Sequence, residues 1–348
     1  MRTTRPLHAI IMALVTLVLF SCTCNRQHQA KKETEVSKKD IQVNIIRFER
    51  DLFACDPATL ENDLYGLQQK YPVFYNVFYN QVLNIPTAGN KEMQLQVMKD
   101  FIGKKSMKGL YDTVQKRFPD LGFLEADLQT GFSNYKSYFP EKPVPKIVTC
   151  ISEFSYSVFT ATDSIIGISL DKYLGPKYLY YPAVFSEYTY MIPSFDKKYM
   201  SIDCMNVLAA NIVPVPDDKS TLLDKMLAEG KILYIIQSLL PDKKENELIK
   251  YTEKQWQWCR QNEAQIWSYF LEQKLLYDTR FEQFKYVKDG PSTYGMPKES
   301  PGKVGSWLGW QIVRAYMNEH PDTTLKQLVA IRDGQQLLSA SKYKPATN

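Results

Sequence analysis

The chain has 348 residues, 44% of them apolar, enough for one large or two ordinary domains with a real core. Lys and Arg number 43 against 38 Asp and Glu, and a balance of only +5 is no footprint of nucleic-acid binding.

Arg2 and Arg5 make a basic n-region, and Ile10 to Phe20 an apolar stretch too short to span a bilayer. The stretch ends in Leu19-Phe20-Ser21-Cys22, which resembles a bacterial lipobox. The resemblance implies that Cys22 is diacylated on its thiol, becomes the first residue after cleavage, and is then acylated on its amine. The alternatives are an ordinary signal peptide or an uncleaved anchor. Cys24 is a poorer acceptor, because Ser21 would then stand where the lipobox takes an aliphatic residue. Two or three acyl chains, at roughly 0.8 kcal/mol per buried methylene, hold a protein stably on a membrane. Removal of residues 1–21 takes away Arg2 and Arg5 and no acid, so the formal charge falls from +5 to +3. Thr23 to Asp40 holds almost nothing apolar and reads as a tether. The expected organisation is a signal peptide at 1–21, a lipidated tether at 22–40 and one folded domain at 41–345.

Ile41 to Phe48 alternates as a strand does, and Asp56 with Pro57 is expected to open a helix carrying Leu60, Leu64, Leu67 and Tyr71 on one face. Val73 to Leu83 is an aromatic-rich helix, and three amphipathic helices follow over 90–102, 106–118 and 121–139. After Pro143 the texture changes. Lys146 to Ser152, Tyr156 to Thr160 and Ser164 to Leu170 are short β-branched runs with turn residues between, which predict a small antiparallel sheet. From Tyr178 the pattern is helical: an aromatic segment to Met191, then helices over 195–213, 222–240, 253–277, 304–319 and 325–339. Leu222 to Leu240 has apolar residues on nearly every face, so it should be buried all round. Ser220 or Thr221 can cap it, with Asp224 in its first turn. The fold class is α+β, a helix-dominated single domain.

Inside that helix stand Glu229 and Gly230. Glycine there is best explained by another backbone packed against it, and a buried carboxylate calls for a partner or a task. A small sheet, a helix and a second helix with Glu-Gly resemble a zincin metallopeptidase of the gluzincin type, with Glu229 in the place of the third zinc ligand. The first helix, over 196–214, lacks HExxH and has no histidine at all. Asp203 with Glu229 leaves two carboxylates and no imidazole, a pair suited to Mg²⁺ or Ca²⁺ rather than zinc. The expected reading is a vestigial cleft, with no catalytic residue, no bound metal and no cofactor. The competing reading is a metal-dependent hydrolase using Asp203 and Glu229.

Other chemistry is thin. Cys55, Cys150, Cys204 and Cys259 show no CxxC or metal-ligand spacing and serve either as small core residues or in disulfides. Tyr178, Tyr180, Tyr181, Tyr188 and Tyr190 form either core and rim packing or a glycan or peptide groove, which keeps a glycan-binding lipoprotein as a third reading. Glycines four apart, Gly305 and Gly309, allow close approach of a second helix.

With the lipobox, the blocks RFERDLF, YPVFYNVFYNQVL, IIGISLDKYLGPKY, LAEGKILYIIQSLLPD, YTEKQWQWCRQNEAQIWSYFLEQKLLY, SPGKVGSWLGWQIVRAYM and SKYKP stand in this order. In that series the chain resembles the GldB family of gliding-motility lipoproteins over about residues 41–345. The resemblance implies a lipoprotein of Bacteroidota that supports gliding and the associated secretion machinery, with no established enzymatic activity. Its expected partners are the membrane, through the lipid anchor, and other envelope, secretion or motility proteins; no nucleic acid is expected. The expected address is the cell membrane or the outer membrane. No acidic cluster follows Cys22, and in that phylum such a cluster resembles a surface-export signal, so the domain is expected to face the periplasm.

Overall fold

In the computed structural model, which describes residues 41–85 and 90–346, the β-branched runs form one sheet of four short strands. These are β1 (Ile45–Arg47), β2 (Lys146–Cys150), β3 (Val158–Thr162) and β4 (Ile165–Ser169), in the order β1-β2-β4-β3. The signal segment, Cys22, Cys24 and the tether lie outside the described residues.

The expected antiparallel sheet is a mixed one. β1 lies parallel to β2, with Ile45 opposite Ile147, and β2 lies parallel to β4, with Lys146 opposite Ile165. Among the described strands only the β3–β4 hairpin is antiparallel, with a bulge between Thr160 and Thr162. Parallel neighbours need a crossover, and the helices between Arg47 and Lys146 supply it for β1 and β2. The third strand starts at Val158, later than its composition predicts, because Glu153 and Phe154 turn the chain at φ of 50° and 67°. Asp171 holds that turn, its carboxylate accepting from Ser152 N at 3.2 Å and Phe154 N at 2.6 Å.

The N-terminal helices are α1 (Phe48–Phe53), α2 (Leu60–Lys70), α3 (Pro72–Val77), α4 (Lys91–Gly103), α5 (Lys105–Arg117) and α6 (Gly122–Tyr138). A π turn over Phe78–Val82 extends α3. α2 does not open at Asp56 and Pro57. Asp56 turns its carboxylate to Ala58 N at 2.8 Å, a local bond that competes with the helix, which begins after Thr59. An aromatic layer joins these helices: Phe48 meets Phe74 and Phe78 edge-on, each at 5.1 Å, and Phe74 stacks on Phe159 of β3. The polar residues of RFERDLF are structural. Glu49, fully buried, receives Arg47 Nε at 2.6 Å and Thr149 Oγ1 at 2.6 Å, which ties α1 to β2.

The C-terminal helices are α7 (Tyr181–Val184), α8 (Met200–Ile212), α9 (Leu222–Leu239), α10 (Glu245–Leu248), α11 (Glu253–Gln261), α12 (Glu263–Glu272), α13 (Val304–Glu319), α14 (Leu325–Ala330) and α15 (Gly334–Ser341). α9 is buried nearly all round, as its sequence predicts, and Thr221 with Asp224 forms a capping box at its start. The long helix expected over 253–277 breaks at Asn262, whose side chain donates to Trp258 O at 2.8 Å. The helix expected over 325–339 also breaks, since Asp333 caps a new start by accepting from Gln336 N at 2.9 Å. The helix expected from Phe195 begins at Met200, after a 3-10 turn over Lys197–Tyr199.

α9 and α13 cross with their backbones in contact. A Cβ on Gly230 would overlap the main chain of Gly309 and come within 2.7 Å of Trp310 N. A Cβ on Gly309 would overlap the carbonyl of Met226. Trp307 and Trp310 fill the space beside this crossing, both almost fully buried. Among the described residues no helix is long and apolar enough to cross a membrane.

Candidate functional site

Asp203 sits in the first turns of α8 and is almost buried. Tyr173, at the end of the 3-10 turn that follows β4, donates its hydroxyl to Asp203 Oδ2 at 2.7 Å. Lys250 brings its ammonium to the other carboxylate oxygen. It does so from a left-handed backbone, φ 59°, in the bend between α10 and α11. Burial, reinforced by the Asp203 charge, pushes the Tyr173 phenol well above its ordinary range, so it stays a donor.

Glu229 projects from the middle of α9 and is half-buried. Desolvation raises its carboxyl above the ordinary value; Lys303 acts against that rise and Asp289 adds to it. Lys303 caps α13 from a left-handed conformation, φ 47°, and its ammonium lies 2.8 Å from Asp289 Oδ1. Partial burial works against ionising Asp289, but the Lys303 ammonium, helped by Lys250, outweighs it and holds the carboxyl below its usual range. The two carboxylates singled out in the sequence therefore belong to one run of alternating charge: Asp203, Lys250, Asp289, Lys303, Glu229.

This arrangement does not fit a metal centre. Asp203 is already paired with Lys250 and Asp289 with Lys303, Glu229 feels the charge of Lys303, and among the described residues no three His, Cys, Asp or Glu side chains gather around one point. His320 lies elsewhere, at the end of α13, with Nε2 3.2 Å from Ala340 O and its ring against Tyr316. Chemically the run works as an ionic latch. It ties α8 to the α10–α11 bend, and the loop carrying Asp289 to the start of α13. Lysines at positive φ carry no signature in a single sequence, so nothing in the sequence pattern marks Lys250 or Lys303.

The chain's comparison with known proteins bears on what such a domain serves. The family described as gliding motility protein GldB matches residues 29–345. The chain belongs to the GldB family. Neither the curated proteins nor the solved structures give a match, so the likeness to a zincin rests on sequence pattern alone. Membership of GldB places the chain among gliding-motility components and associates it with the envelope membrane.

The tyrosine run of this GldB chain divides between core and surface. Tyr181 is fully buried; it donates to Asp171 O at 2.7 Å and accepts from Leu174 N at 3.0 Å. Tyr180 and Tyr188 are exposed, together with Leu179 and Val184. Tyr178 bridges the two groups by edge-on contacts with Tyr180 and Tyr181. Cys55, Cys150, Cys204 and Cys259 stand as free thiols, the last three buried.

Proposed function

We propose that this chain is a lipid-anchored, periplasm-facing scaffold in the gliding and secretion machinery, acting by binding and without enzymatic activity. The family match over residues 29–345 carries the reading. The lipobox at Cys22 supports the anchor, and the polar run Thr23–Asp40 supports a tether, with a contour of at most about 65 Å. A tethered domain gains effective concentration at its partners, so weak contacts suffice. The latch supports the non-enzymatic part of the reading through Asp203, which is held by the Lys250 ammonium and the Tyr173 hydroxyl, and a carboxylate engaged in this way makes a poor base or ligand. The zincin-like pattern is then a vestige.

The test is complementation of a deletion strain, scored by motility and secretion. One complementing gene encodes Cys22→Ala behind a conventional cleavable signal, and the other encodes Glu229→Gln in the native context. The scaffold reading expects the unanchored form to lose most function and Glu229→Gln to keep it. Full rescue by the soluble form, with failure of a stably folded Glu229→Gln protein, would make the cleft the working site and sink the proposal.

A further inference from the structure

Away from the latch, α2, α3 with its π turn, and α4 enclose a cavity of about 370 Å³. That volume lies at the small end of the roughly 300–1,000 Å³ typical of small-molecule sites. Three tyrosines line it: Tyr65 from α2, and Tyr75 and Tyr79, whose rings stack at 5.8 Å and 16°. Carboxamides fill much of the remaining wall, namely Asn62, Gln68, Asn76, Asn80 and Gln94. The floor is apolar, from Leu64, Leu95 and Met98. The charged lining side chains are Glu61 and Lys91, and these pair with each other at 2.5 Å.

Two features mark this cavity as more than a packing gap. Asn80 lies within the π turn, where Leu83 N reaches back to Phe78 O, and such turns recur at functional sites. Its Oδ1 is buried and, among the described residues, has no hydrogen-bond partner. A buried acceptor left unpaired is costly, and a turn of the Asn80 amide toward the cavity it lines would let a ligand hydroxyl satisfy it. Burial also pushes the Tyr75 phenol up to about 12 and raises that of Tyr79, so both stay neutral.

We propose that this cavity binds a short neutral saccharide. A sugar hydroxyl both donates and accepts, and so does a carboxamide. The apolar face of a sugar ring suits a tyrosine ring, which joins an apolar body to a polar tip. Balanced lining charge argues against phosphates, carboxylates and cations. A peptide would ask for a strand edge, or for apolar anchors set along a groove. Here the polar groups are side-chain amides around a cavity between helices.

The experiment uses the mature lipidated protein in a detergent without a sugar headgroup. Binding of diacetylchitobiose, cellobiose and maltotriose is followed by saturation-transfer NMR and calorimetry, with trialanine as the peptide arm. The expected result is saturable binding of at least one saccharide and none of trialanine. Tyr65→Ala, at a residue 65% exposed, should weaken that binding at least about tenfold with an unchanged melting temperature. Asn80→Leu, which removes the unpaired oxygen at similar volume, should weaken it as well. Three outcomes overturn the proposal: no saccharide saturating up to about 10 mM, saccharide binding indifferent to both substitutions, or trialanine binding as well as the sugars.

Discussion

The crossing of α9 and α13 and the packing of α2, α3 and α4 solve the same problem in opposite ways. At the crossing Gly230 and Gly309 remove the side chains, the two backbones touch, and no space is left between them. In the N-terminal region Phe48, Phe74 and Phe78 hold the elements apart, and beyond that layer a cavity of about 370 Å³ remains. Aromatic rings bury much area but tile imperfectly, whereas glycine contacts bury little side chain and fit without slack. The N-terminal packing should therefore tolerate added or lost volume, and the crossing almost none.

The comparison breaks most directly at Gly309. Gly309→Leu is expected to destabilise by more than about 4 kcal/mol, or to prevent folding, because its Cβ alone overlaps the carbonyl of Met226 and main chain cannot step aside. Chemical denaturation of the folded fraction checks it, and a neutral variant would mean that the helices can separate. Glu49→Ala is expected next, at about 3 kcal/mol, since Arg47 and Thr149 lose the carboxylate they share in a buried setting. Restoration of most of that loss by removing Arg47 as well, in a double-mutant cycle, would confirm that charge rather than volume is at stake. Tyr79→Leu should cost only about 1–2 kcal/mol, less than a tightly packed aromatic, because its partly buried ring lines the cavity and that side can relax. A cost equal to that at Gly309 would erase the contrast.

The smallest effect sharpens the comparison through pH. Lys231, buried on α9 with its ammonium 2.5 Å from Ile331 O, is pushed down to about 8 by desolvation, then by repulsion from Arg332, with Asp224 opposing. Between pH 8 and 10.5 the unfolded chain holds the proton that the folded chain has released, so the native state gains stability as pH rises. Lys231→Met removes this dependence. Its stability relative to the parent is expected to fall by on the order of 1 kcal/mol between pH 7 and pH 10, measured by urea melts at each pH. A flat difference would show that the lysine is hydrated despite its burial.

Much of the C-terminal half was legible in the sequence. LLDKMLAEGKILYIIQSLL announces a helix without a polar face, its interior glycine asks for a close neighbour, and the paired glycines near Trp307 supply one. The hairpin of β3 and β4 was legible too, since its strands adjoin in sequence. The parallel pairing of Ile45 with Ile147 was not, because its partners are remote and each run is too short to declare its direction. Nor was the break at Asn262, where the apolar stripe of Trp256, Cys259, Ile266 and Phe270 runs on across the interruption. Of the latch, the sequence marked Asp203 and Glu229 and missed Asp289 and both lysines. The cavity did leave one trace, the repeat of Tyr75-Asn76 as Tyr79-Asn80 one helical turn later, but nothing local ties that repeat to Tyr65 or Gln94.

The glycine crossing also limits how this chain can drift. Where two side chains meet, a large residue on one helix can be answered by a smaller one on the other, and a lineage walks through such exchanges. Between Gly230 and Gly309 there is nothing smaller to offer. A substitution at either site is then open only to suppressors acting elsewhere, by raising the stability of the whole domain. Genetic selections for second-site revertants of Gly230→Ala should accordingly return scattered stabilising changes and none at position 309.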